Sequence, residues 1–124
     1  MIVPPDFASQ SLIVGETLNP SGNWSGVPAH KHDQIGSSSE SIQEEIYYFR
    51  IEPKNGWGLL RIYDASGSDE LIHLRDRSVT VIPKGYHTVA AAPGSTLFYA
   101  FHLAGPDKKL VVTEDPDQAW IKKA

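Results

Sequence analysis

The stretch Pro28–Asp33, PAHKHD, carries two imidazoles two residues apart. Side chains on a β-strand alternate between faces, so His30 and His32 point the same way. Glu45 in EEIYYFRI and His87 in PKGYH add a carboxylate and a third imidazole from two more β-prone segments. Three neutral imidazoles and one carboxylate around a divalent cation leave a small net positive charge. They also leave a coordination position open, as a catalytic metal requires. The donor set suits one divalent transition metal; zinc is the first expectation, and manganese, iron, nickel and copper also fit. The expected metal ligands are therefore His30, His32, Glu45 and His87. His73 has charged neighbours and reads as a surface residue, whereas His102 lies in an apolar segment and reads as a core or rim histidine.

Those four side chains need strands to carry them. EEIYYFRI holds five β-branched or aromatic residues and is the strongest strand signal in the chain. Eight strands are expected: Ser11–Thr17, Trp24–His32, Glu44–Pro53, Trp57–Tyr63, Glu70–Arg75, Ser78–Ile82, His87–Ala92 and Thr96–Leu103. Short Gly, Pro, Asn and Asp clusters punctuate them. Even spacing without a helix-period segment points to an all-β jelly-roll barrel rather than a βαβ fold. Met1–Gln10, with two adjacent prolines, reads as an extended lead-in. Asp33–Ser41 reads as a polar loop with nothing to pack against, at the barrel mouth. Asp115–Ala124 reads as a turn or short helix anchored by Trp120. Trp24 and Trp57 read as core or pocket wall.

The 124 residues are expected to form one domain, 1–124. With no cysteine, disulfides and thiolate ligands are excluded. A formal charge of −4 argues against a nucleic-acid partner. No apolar run is long enough to span a bilayer and no signal peptide is visible, which makes the cytoplasm the expected location.

The order of HxH, then Glu, then PxG followed by His resembles the two-motif signature of cupins, small jelly-roll barrels that bind a metal through three His and one Glu. Longer strings narrow the likeness. Gly15–Asp33 (GETLNPSGNWSGVPAHKHD), Glu44–Ile51 (EEIYYFRI), Pro83–Gly94 (PKGYHTVAAAPG) and Asp115–Trp120 (DPDQAW) are similar to the second barrel of the 5-deoxyglucuronate isomerase (IolB) family, which shares its cupin plan with the KduI-type uronate isomerases. The resemblance implies a single cupin barrel and a metal-dependent aldose–ketose isomerase acting on a deoxyuronate or related sugar acid in inositol catabolism. A metal on the carbonyl and adjacent hydroxyl would stabilise the charge that develops when the intervening proton leaves. The sugar acid's carboxylate would need a cation, with Arg61 the first candidate and Lys84 the second. Lys31 points away by alternation. Tyr47, on the face of Glu45, is the expected catalytic residue, orienting a hydroxyl or relaying a proton, and Tyr99 is expected to bind substrate. Two other readings share the shell: an iron-dependent dioxygenase, and a sugar-binding module without turnover. Relatives with two barrels cover a sheet face that one barrel exposes, so a homodimer is expected.

Overall fold

The computed structural model describes residues 8–34 and 39–123. Nine strands and one 3₁₀ helix follow in chain order: β1 Leu12–Asn19, β2 Trp24–Lys31, β3 Glu44–Glu52, β4 Gly58–Tyr63, β5 Asp69–Leu74, β6 Val79–Ile82, β7 Tyr86–Ala91, β8 Thr96–Ala104, β9 Thr113–Glu114, and the helix Pro116–Lys123. They form two antiparallel sheets, one ordered β1-β8-β3-β6 and the other β5-β4-β7-β2-β9. The first eight strands pair as 1 with 8, 2 with 7, 3 with 6 and 4 with 5. This nested pairing, as if one long hairpin had been rolled up, is the jelly roll.

The alternation in β3 shows why the layers close. Glu45, Tyr47, Phe49 and Ile51 are buried, while Glu44, Ile46, Tyr48, Arg50 and Glu52 face out. Phe49 and Ile51 meet Leu60, Leu74, Ile82, Val89, Leu97 and Tyr99 between the sheets, so the apolar core fills one end of the sandwich. The inward positions nearer the other end, Glu45 and His87, are polar, and that end holds the candidate site.

The expected strands fall within two residues of the observed ones at each boundary, and β9 is additional. Its two residues pair with His30 and Lys31 of β2. Three expectations need correction. All three tryptophans are exposed rather than core or anchor, Trp120 by 66%, while Trp24 does wall a surface hollow beside Trp120. The terminal helix is held instead by Gln118, whose Oε1 accepts the Ala29 N–H at 2.8 Å, and by Asp115, which accepts from the Tyr63 hydroxyl. His102 faces outward from β8 and is exposed. The loop after His32 does pack: Glu40 and Gln43 are buried, and Ser41 bonds Val111. Residues 35–38 of that loop and 1–7 of the expected lead-in lie outside the described residues. Among the described residues, no helix is long and apolar enough to cross a membrane.

Candidate metal centre

β2 and β7 are neighbours, and His30 and His87 are register partners, with ring centroids 4.7 Å apart. His32 follows the end of β2, 6.0 Å from the His30 ring and 5.2 Å from the His87 ring. One ligand nitrogen from each of the three lies within 4.8 Å of the others. Glu45 arrives from β3 in the opposite sheet. Its Oε2 is 3.2 Å from His32 Nε2 and 3.2 Å from His87 Nε2. Residues up to 57 positions apart thus converge on one point between the layers.

Backbone carbonyls hold each imidazole from behind. His32 Nδ1 is 2.9 Å from the Gln43 oxygen, His87 Nδ1 is 3.1 Å from the Gly85 oxygen, and the His30 ring bonds the Pro28 carbonyl. A ring nitrogen facing a carbonyl must carry the proton, which leaves Nε2 of His32 and His87 as lone pairs. In the neutral rings those lone pairs face a carboxylate oxygen, acceptor against acceptor, and a second proton on His32 would turn its Nε2 into a donor to Glu45. His87 is 1% exposed, and its Nε2 has no hydrogen-bond partner; its approach to Glu45 is a contact without hydrogen-bond alignment. A buried, unpaired nitrogen of this kind costs about 1–3 kcal/mol. Nitrogen and oxygen ligands bound at about 2.1 Å stand roughly 3–3.5 Å from one another, which matches the two 3.2 Å approaches. The residues therefore fit a divalent metal, and three histidines held in this way could bind one.

The electrostatics favour a neutral His30 and a charged Glu45. Burial, then the nearby His87, brings His30 down to about 4. Burial works against ionised Glu45, yet hydrogen bonding from His32 and the nearness of His87 outweigh it and bring the carboxyl to about 2. Burial also opposes a charged His32, and its hydrogen bond to Glu45 raises it overall.

A cavity of about 190 Å³ opens beside these groups, lined by His30, His32 and Glu45 with Thr17, Tyr47, Tyr99, Phe101 and Leu110. Tyr47 is buried; desolvation, then the Glu45 charge, pushes its hydroxyl well above the ordinary phenol range. Burial likewise raises Tyr99, whose hydroxyl shares a hydrogen bond with Ser25 Oγ at 2.9 Å. The Phe101 ring lies flat against Gly15, where a Cβ would fall 2.1 Å from its Cζ, so only glycine leaves that wall intact.

Among the expected site residues, His30, His32, Glu45, Tyr47 and Tyr99 line this cavity and His87 backs it. Arg61 and Lys84 lie apart from this cavity. On β4, Ile62 is opposite His87 while Arg61 is opposite Thr88, and alternation turns the guanidinium to the outer face. There it forks onto Asp69 at 2.9 and 2.7 Å and stacks on Tyr63. Lys84 is on a turn, its side chain 72% exposed and 4.0 Å from Asp64. Among the described residues no lysine or arginine lines the cavity, and segments 1–7 and 35–38 contain none.

Thr17 and Leu110 were not singled out in the sequence. Leu110 was out of reach, because its loop returns to the mouth without a local signal.

The KduI/IolB family model matches residues 1–121. The chain is 40% identical over 124 residues to a 5-deoxy-glucuronate isomerase of Geobacillus thermodenitrificans, covering 99% of this chain and 45% of the relative. It is 39% identical over 117 residues to that of Bacillus subtilis, covering 94% and 43%. A crystal structure of an IolB-like protein from Salmonella typhimurium superposes with a TM-score of 0.93 at 38% identity, covering 98% of this chain and 46% of that one. A cupin protein from Bacteroides fragilis, at 22% identity and a TM-score of 0.56 over 90% and 78%, shares the fold. The chain spans about half the length of the curated relatives it matches.

Proposed function

We propose that this chain, which belongs to the KduI/IolB family, is a metal-dependent aldose–ketose isomerase for a deoxyuronate or related sugar acid, and acts in inositol-type catabolism in the cytoplasm. The observation that carries the proposal is the convergence of three imidazoles and Glu45 on one point beside a cavity of sugar size. His30, His32, Glu45 and His87 would hold the ion, with zinc the first choice. The bound ion supplies Lewis acidity to a carbonyl and its adjacent hydroxyl. Residues 1–124 act as one barrel in this proposal.

The chain's own groups divide the remaining work. Tyr47 donates its hydroxyl hydrogen bond to Glu45 and keeps its proton through the working pH range, so it orients a substrate hydroxyl by accepting from it with its free lone pair rather than acting as a base. Tyr99, steadied by Ser25, presents a second hydroxyl to the same space. Phe101 and Leu110 wall the cavity and exclude water. The acid group of the sugar finds no guanidinium or ammonium in this wall, so its recognition falls to hydroxyls and the metal. That lack also favours the second reading, a sugar-binding module without turnover.

The partner is a second copy of this chain. The register partners Ile46 with Val81 and Tyr48 with Val79 form exposed apolar rows on the outer face of the β1-β8-β3-β6 sheet, and such patches support association. Light scattering that returns a monomer at micromolar concentration would refute this part.

Elemental analysis of protein purified without added metal, followed by an aldose-to-ketose assay on uronates, tests the whole. A stoichiometric divalent metal with turnover supports the isomerase. Metal and sugar binding without turnover supports the module. Tightly bound iron with oxygen consumption would overturn both.

A further inference from the structure

A second polar cluster lies behind the candidate metal centre, outside the cavity. Glu40 is buried and accepts from three donors on two segments: the Asp33 N–H at 2.7 Å, Lys31 Nζ at 3.0 Å, and the Thr113 hydroxyl of β9. Lys31 Nζ also donates to Asp33 Oδ1 at 2.8 Å. Asp33 Oδ2 is thereby turned toward a segment 52 residues away, where it accepts the Gly85 N–H at 2.8 Å. Gly85 has φ of 95°, and a Cβ there would fall 2.8 Å from the Tyr63 oxygen, so the turn has little freedom to adjust around a substituted residue. The carbonyl of that same glycine accepts from His87 Nδ1. One carboxylate thus ties the segment carrying His32 to the turn that orients His87.

We infer that Asp33 is a positioning residue of the metal centre, setting His87 through Gly85 while Lys31 and Glu40 hold Asp33 in place. It touches neither cavity nor ligand nitrogen. Its action runs through one residue and the two peptide planes that meet at its Cα: Asp33 fixes the Gly85 N–H, the Gly85 φ of 95° sets the following plane against the first, and the C=O of that second plane fixes the imidazole. Partners at this remove typically alter metal affinity by about 10–100-fold. The inference rests on the proposed metal centre.

The test is cobalt(II) affinity by visible absorption, with thermal melting measured alongside. Asp33→Ala should weaken cobalt binding about 10–100-fold. Asp33→Asn keeps an oxygen for the Gly85 N–H and should stay within about threefold of wild type. Asp33→Ser is polar but too short to span to Gly85; it should behave like Asp33→Ala and replaces it if the alanine variant does not fold. Asp76→Ala is the control. Asp76 accepts the Ile51 N–H at 3.0 Å, about 20 Å along β3 from Glu45, so this variant should melt earlier with cobalt affinity unchanged. A folded Asp33→Ala or Asp33→Ser protein that binds cobalt as wild type does overturns the inference. So does an equal loss in Asp76→Ala. A wild-type chain that takes up no cobalt overturns the metal reading and this inference with it.

Discussion

Replacing His87 with leucine should change the protein's stability in opposite directions with and without metal. Leucine is close to histidine in volume and suits a site that is 1% exposed. The unpaired Nε2 faces a carboxylate oxygen at 3.2 Å. Removing that nitrogen relieves about 1–3 kcal/mol, and losing the bond to the Gly85 oxygen costs about 1 kcal/mol. The balance is a gain of about 1 kcal/mol, or about 4 °C in Tm for a chain of this length. With metal at about 1,000 times the wild-type Kd, the wild type gains about 4.1 kcal/mol. Losing one of four ligands and about 100-fold in affinity removes about 2.7 kcal/mol of that. The variant should therefore melt above wild type in chelator and below it in excess zinc, followed by circular dichroism. A variant that melts 5 °C or more below wild type in chelator would show that the imidazole is an ordinary satisfied core group. An equal zinc-induced rise in both proteins would show that His87 is not a ligand.

Three further outcomes are expected. Tyr47→Phe should lower kcat for aldose-to-ketose conversion at least tenfold at unchanged metal content, and an unaltered kcat would remove Tyr47 from the mechanism. Arg61→Ala should leave KM for a sugar acid within about twofold and cost less than about 1 kcal/mol of stability, since its pair with Asp69 is an exposed one; a large rise in KM would return Arg61 to the substrate. The Ile51 N–H, and then Arg50, hold Asp76 below the usual carboxylate range. The unfolded chain therefore takes up a proton first as pH falls through about 4. That contribution is present above this pH and is lost on acidification through the folded-state value. Asp76→Asn should flatten the fall of Tm below pH 4, and an unchanged slope would refute the assignment.

Alternation made the candidate metal centre legible in the sequence. His30 and His32 had to share a face, and so did Glu45, Tyr47 and Phe49, and the two sheets close with those faces inward. Arg61 was expected at the site for the chemistry of its guanidinium, and alternation by itself does not place it. In GLLRIY two leucines stand side by side, so either phase of β4 could be the buried one. The choice is made by long-range pairing of Leu60 with Val89, which no local pattern reveals. Glu40 was unreadable for a related reason. A carboxylate in a serine-rich stretch looks solvated until Thr113, 73 residues on, is brought against it. Trp120 shows the converse. Size and apolarity suggested an anchor, whereas the polar Gln118 and Asp115 fasten the helix.

The donors are divided unequally between the two layers: three imidazoles come from the sheet of β2 and β7, and the single carboxylate comes from the sheet of β3. An ion bound there is a rivet through the sandwich, in a chain whose lack of cysteine rules out any covalent one. Mechanical cohesion at that end and chemistry in the adjoining hollow then depend on the same atom. On the proposed reading, metal starvation would end turnover and loosen the sandwich in one event, exposing the slackened end to proteolysis.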